Sequence, residues 1–247
     1  MMLKVLLYRD WLILKKSPIG LLLTFTLFPM LMYMLLSIPL SKLIVLGIRY
    51  ENWTAPGIWI TTSCMLGFIY SITKVKNITI GINQLEVFLK SPVKISIIFV
   101  SIIISSNLIG LSQLICSFVI TILLNNEYLS FMQVLSILFQ VIPVIFFYSV
   151  LGTFIGMLIK QYINIIILVL LFFLITTFNL GTFIPLDYFP LSYSDLIKNF
   201  PITMIAINCQ NIIQNDNMSY IGFSLIMVLN LLLFLITLIT SYKVYKK

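Results

Sequence analysis

Three observations predict an all-α fold of six membrane-crossing helices for this 247-residue chain. Hydrophobic residues make up 61% of it and charged residues only 9%, with a mean hydropathy of +1.13. Soluble domains carry about 25% charged residues, so too little polar surface remains here to cover a globule in water. The apolar residues also form long unbroken runs, such as residues 163–178 and 220–239, and not the short alternating segments of barrel strands. In lipid only helices and closed barrels satisfy their own backbone, so the runs read as helices. Lastly, the basic residues lie between the runs and divide unevenly between the two sides, as the orientation of membrane helices requires.

Residues 1–17 read as an amphipathic helix lying in the membrane interface. Leu3, Leu6, Leu7, Trp11, Ile13 and Leu14 share one broad face, with Lys4, Tyr8, Lys15 and Lys16 largely opposite. Asp10 falls on the apolar side, and Val5 and Leu12 on the polar side. A secretory signal is disfavoured, because the following apolar run is too long and no small-residue cleavage site ends it.

The first span is expected at residues 19–38, about one hydrocarbon thickness in length, with a kink at Pro29. A loop with Lys42, Arg49, Glu51 and Trp53 follows. The second span is expected at 56–73, with Pro56 in its first turn. A basic loop covers 74–94. The third span, 95–124, carries Ser101, Ser105, Ser106, Asn107, Ser112 and Gln113, which suit helix contact better than lipid. The fourth is 131–159, with Pro143 inside and Gly152 and Gly156 spaced for close packing within the subunit. The fifth is 163–178 and the sixth 220–239. Between these last two, Gly181, Pro185, Pro190 and Pro201 break the chain into pieces too short to span. Two short re-entrant or interfacial helices are expected there. Such backbone is tolerated at membrane depth only against protein or a water-filled cavity.

With the amino terminus inside, Lys4, Arg9, Lys15, Lys16, Lys74, Lys76, Lys90, Lys94, Lys160, Lys243, Lys246 and Lys247 fall inside, and only Lys42, Arg49 and Lys198 outside. This asymmetry predicts an even number of spans with both termini cytoplasmic, in the inner (plasma) membrane. It also accounts for the net charge of +8 without a nucleic-acid partner.

No Asp, Glu, Lys, Arg or His lies in the central part of a predicted span, which lowers ion-coupled transport and intramembrane catalysis. Histidine is absent, and Cys64, Cys116 and Cys209 are far apart, so no metal site is predicted. No G-x-x-x-x-G-K-[ST] occurs, so this chain does not hydrolyse nucleotide by a P-loop. In the basic loop, Ile82, Leu85, Phe88 and Leu89 fall on one face of a short helix at 81–90, which Pro92 should end. Such a helix can lie on lipid or sit in a groove of a partner protein.

Three stretches together resemble the ABC-2-type exporter permeases, in the branch with drug, nodulation-factor and polysaccharide exporters. They are Ala55-Pro56-Gly57, the segment Leu85-Glu-Val-Phe-Leu-Lys-Ser-Pro-Val93, and Gly181-Thr-Phe-Ile-Pro-Leu-Asp-Tyr-Phe-Pro190 with Asn199-Phe-Pro201. The amino-terminal helix and six spans match as well, so the resemblance covers essentially the whole chain. It implies a permease of one domain that is not an enzyme and binds no cofactor. Its second copy, most simply a homodimer mate, and separate ABC ATPase subunits holding ATP and Mg would complete the exporter. Ile82, Leu85, Glu86, Phe88, Leu89, Lys90 and Pro92 would form the ATPase-coupling segment. Phe25, Phe28 and Tyr33 on the first span, with Phe172, Thr176, Thr177 and Asn179 on the fifth, would line the path. Gly181, Phe183, Pro185, Pro190 and Pro201, within 181–210, would form the outer gate. The chain departs from the family by carrying Asn83 and Gln84 where a strongly charged loop is usual, so apolar contact through Leu85 and Phe88 should dominate. The implied cargo is hydrophobic or amphiphilic: a drug, peptide, lipid or lipid-linked glycan. A secondary transporter or channel not driven by ATP is the alternative.

Overall fold

Helix α1 spans Met2–Lys15 and turns only part of its apolar surface inward. Leu6 and Asp10 are buried and Leu3, Leu7 and Leu14 half-buried, a stripe at helical spacing. Trp11 and Ile13, expected on the same face, are exposed, as are Val5 and Leu12. The inward face is therefore narrower than composition suggested, and Asp10 belongs to it. The computed structural model describes residues 2–44, 49–80, 94–125, 129–159, 161–214 and 219–245. The predicted coupling helix, 81–90 with Pro92, lies outside the described residues, as does Lys160.

Six helices are long and apolar enough to cross a membrane. The first, α2, runs Pro18–Met32 and continues through a π-helical turn, Tyr33–Ser37, and a last turn, Ile38–Ser41. The others are α3 (Tyr50–Ile80), α4 (Ile95–Asn125), α5 (Phe131–Leu158), α6 (Tyr162–Leu174, extended by a π-helical turn Ile175–Asn179) and, last, Ile221–Tyr245. Between α6 and that last span come a 3-10 turn at Leu186–Tyr188 and two short helices, α7 (Leu191–Lys198) and α8 (Pro201–Gln214), so the last span is α9. No strand occurs among the described residues. The chain is a multi-pass, all-helical membrane protein.

The second span differs most from expectation. It begins at Tyr50, so Pro56 lies inside the helix and not in its first turn, and Glu51 and Trp53 are helical. It also continues past Thr73, which moves Lys74 and Lys76 from a loop onto the helix. The cause is tertiary. This is the least apolar span, yet 83% of its most apolar window is buried, against 17% for α2 and for the fifth span. Protein and not lipid surrounds α3, so its polar residues need partners and not a hydrocarbon limit. The indole of Trp59 donates to Thr121 Oγ1 at 2.6 Å, and Thr54 and Ser37 hydroxyls meet at 2.6 Å.

Small residues let neighbouring helices approach α3. Gly152 and Gly156 face it, as the spacing predicted. A Cβ on Gly152 would contact Ser71 Oγ and lie 2.6 Å from the Phe68 carbonyl oxygen, and one on Gly156 would lie 2.9 Å from Val75 Cβ. Side-chain amides tie the outer helices on. Pro29 cannot donate to the carbonyl of Phe25, and the Gln113 amide donates to it instead, at 3.4 Å. Asn230 of α9 donates to the Pro143 carbonyl at 2.9 Å. Ser130 and Gln133 form a reciprocal cap at the start of α5, and the Gln133 amide then reaches the Ile212 carbonyl of α8 at 3.0 Å.

Close packing at Gly152 makes a direct prediction. Gly152→Leu should destabilise the bundle by about 2–3 kcal/mol, because the α3 backbone cannot yield as a flexible side chain would. Gly20→Ala, in open space on α2, should leave stability unchanged or raise it by about 0.5–1 kcal/mol. Thermal unfolding of both variants in detergent measures the difference.

Candidate functional site

The residues with unusual surroundings gather at the two ends of α3. At the end near Tyr50, the chain after the fifth span folds back onto α3. Gly181 has φ +68°, a left-handed conformation that a Cβ would strain, and its carbonyl accepts from the Gln210 amide at 3.1 Å. The helix preceding it ends with free carbonyls. The Thr182 hydroxyl sits 2.6 Å from the Thr176 carbonyl and 2.8 Å from that of Thr177. Gly57 admits the Thr182 carbonyl against α3, where any Cβ would collide with it. The Tyr50 hydroxyl donates to the Phe183 carbonyl. Phe183 is wholly buried, in a cluster with Met32, Tyr33 and Ile58.

This arrangement brings most of the predicted gate together. Gly181, Phe183 and Pro185 are buried on α3 and its neighbours, and Pro201 is buried at the start of α8. Pro190 is exposed and precedes α7. Of the predicted path residues, Phe28 meets the fifth span through Phe173, which was not among them, with ring centroids 6.4 Å apart. Phe172 is half-buried, its ring 5.1 Å from Phe68 of α3. Phe25 and Asn179 are half-buried. Thr176 and Thr177 are buried, and both hydroxyls donate back to their own helix: Thr176 to the Phe172 and Phe173 carbonyls, Thr177 to that of Phe173. Tyr33 is buried and, with Arg49, Glu51, Asn52, Leu124 and Asn125, lines a cavity of about 290 Å³.

At the other end of α3 a charged group is built into the protein. Asp10 of α1 is 1% exposed, and its Oδ1 accepts from Lys74 Nζ at 3.1 Å and from Arg9 at 2.9 Å. The Lys74 ammonium also lies 5.3 Å from the centre of the Tyr70 ring. On the opposite side of α3, Lys76 donates to the carbonyl of Ile159, just past the end of α5. A cation at a helix carboxyl end satisfies a free carbonyl and the helix dipole together. Leu6 of α1 packs beside these charges, in a cluster with Val75, Ile78, Phe99 and Met157. Helix α1 is thus held to the bundle by one ion-pair cluster and one apolar cluster.

Sequence reasoning passed over Asp10, Lys74 and Lys76 as functional residues. A signal for the first was present: an acid on the apolar face of an amphipathic helix must find a cation when that face is buried. The two lysines gave none, because their burial depends on how far α3 continues.

Among the described residues, no group of three or more His, Cys, Asp or Glu comes together. The fold and site define a multi-pass helical membrane protein built around one central span, with a folded-back segment at one end of that span and an ion-paired helix at the other. No family model matches the chain, and no curated protein matches it.

Breaking the ion pair should free α1. Asp10→Ala leaves Lys74 without its carboxylate and should speed amide hydrogen exchange across residues 6–14 by about 10-fold or more. Asp10→Ala combined with Lys74→Met, which removes both charges, should restore most of the protection. Hydrogen exchange read by mass spectrometry distinguishes the three proteins.

Proposed function

We propose that this chain is the membrane permease of an ATP-driven exporter of the ABC-2 type, paired with a second copy and powered by separate ATPase subunits. The observation that carries the reading is the position of α3. Its 31 residues make a rod about 46 Å long. One end is bonded to the folded-back segment through Tyr50 and packed closely against it at Gly57. The other is bonded to α1 through Lys74 and to α5 through Lys76, and the chain then leads directly into residues 81–93. A push delivered to residues 81–93 would therefore travel along one packed rod to the opposite face. Rigid-body movement of packed helices is a known way of switching access.

In this reading the cytoplasmic side is the one with α1, Lys94 and the lysines of the carboxyl-terminal tail, because basic residues concentrate there. Phe88 and Leu85 engage the ATPase. The segment from Gly181 to Pro201 is the outer gate. The first and fifth spans, little covered by the rest of the chain, meet the second copy and border the path. The path has aromatic and neutral polar character, which suits hydrophobic or amphiphilic cargo over small ions.

The test is to purify the tagged chain from its own membranes. A P-loop ATPase should accompany it in equal number, and Phe88→Asp should lose that ATPase while inserting normally. Retention of the ATPase by the variant refutes the coupling assignment, and absence of any ATPase from the unaltered protein refutes the exporter. Reagents that cannot cross the membrane should label Lys90 and the tail lysines from the same side.

A further inference from the structure

The cavity of about 290 Å³ at the Tyr50 end of α3 is lined by Tyr33, Arg49, Glu51, Asn52, Leu124 and Asn125, and most of its surface is polar atoms. We propose that it holds the zwitterionic head of one ethanolamine phospholipid, with the ammonium at Glu51 and the phosphate at Arg49.

The first support is charge. Arg49 and Glu51 line one cavity, yet among the described residues the only ion pairs are those of Asp10. Positions two apart do not face each other on a helix, so the opposite charges stand at separate points of the wall. A ligand with a single charge would match one of them and oppose the other, whereas a zwitterion matches both. The second support is an excess of acceptors. The Asn125 side-chain oxygen is buried without a hydrogen-bond partner, while its nitrogen donates to the Glu51 carbonyl at 3.3 Å. With the Glu51 carboxylate, this leaves the lining short of donors. A primary ammonium carries three N–H donors, and the quaternary ammonium of a choline head carries none. The third support is level. The cavity lies where α3 begins and α4 ends, and both helices have 31 residues. Each is about 46 Å long against about 30 Å of hydrocarbon, so these ends reach the headgroup layer. Leu124 is exposed and the first span little covered, so the cavity borders lipid. The inference does not depend on the exporter reading, since it needs only the bilayer.

The experiment offers the full-length protein, in detergent, an equimolar mixture of phosphatidylethanolamine, phosphatidylcholine and phosphatidylglycerol with identical acyl chains. Native mass spectrometry counts the retained lipids. One phosphatidylethanolamine per chain should be retained over each of the others by about fivefold or more. Glu51→Gln should abolish the preference over phosphatidylglycerol, whose head carries no cation. Arg49→Gln should cut retention of phosphatidylethanolamine about fivefold. Among the described residues only the backbone carbonyls of Arg49 and Glu51 bond within the fold, so both variants should fold. Asp187→Asn with Lys198→Gln, exposed charges outside the cavity, should leave the preference unchanged. Equal retention of the three lipids by the unaltered protein overturns the proposal. So does a full preference in Glu51→Gln, or an equal loss in the Asp187 and Lys198 control, which marks diffuse surface charge. Retention of free O-phosphoethanolamine without any preference among the lipids would assign the cavity to a soluble zwitterion and overturn the lipid.

Discussion

Everything in this structure depends on α3 being enclosed by protein. A span in lipid must be apolar all round, whereas a span enclosed by other helices can carry polar groups when most of them find partners. The sequence of α3 is unsuited to lipid: Asn52, Thr54, Thr61, Thr62, Ser63 and Ser71 are all buried in it. Enclosure is possible because Gly110, Gly152 and Gly156 on the neighbouring helices leave room for close approach, and because Thr121 and Ser37 supply hydrogen bonds. The peripheral spans show the converse. They present Leu, Ile and Val outward and attach through a few amides, with Gln113 and Asn230 the clearest cases.

Enclosure also explains why the irregular parts of the chain sit where they do. The segment from Gly181 to Phe183 has no regular ladder, so its carbonyls need side-chain donors. Gln210 and Tyr50 provide them, and the Thr182 hydroxyl serves the last carbonyls of the preceding helix. The buried Asp10 is the electrostatic counterpart at the opposite end. A carboxylate removed from water persists there because two cations share it. The same central helix therefore carries a backbone-satisfying joint at one end and a charge-satisfying joint at the other, and that pairing gives a mechanical reading of the protein its physical basis.

How much was legible beforehand varied with the kind of signal. Six apolar runs, the interruption at Gly181 to Pro201 and the inward use of Gly152 and Gly156 were readable, because hydrophobic run length and small-residue spacing are local properties. The residues expected to line a path were named only as a list of aromatic and polar side chains. The structure pairs Phe28 with Phe173, sets Phe172 against Phe68, and turns the Thr176 and Thr177 hydroxyls back to their own helix. The inward stripe of α1 was misjudged at Trp11 and Ile13. Periodicity orders residues around a helix but does not say which sector meets a neighbour.

The sequence by itself determined the solvent, the number of crossings and the asymmetry of charge, since each follows from composition and run length. The limits of α3, the burial of Lys74 and Lys76 and the partner of Asp10 were decided by tertiary structure alone. A polar residue ends a helix that faces lipid, yet extends one that faces protein able to bond it, and only the packed fold reveals which of the two surrounds it.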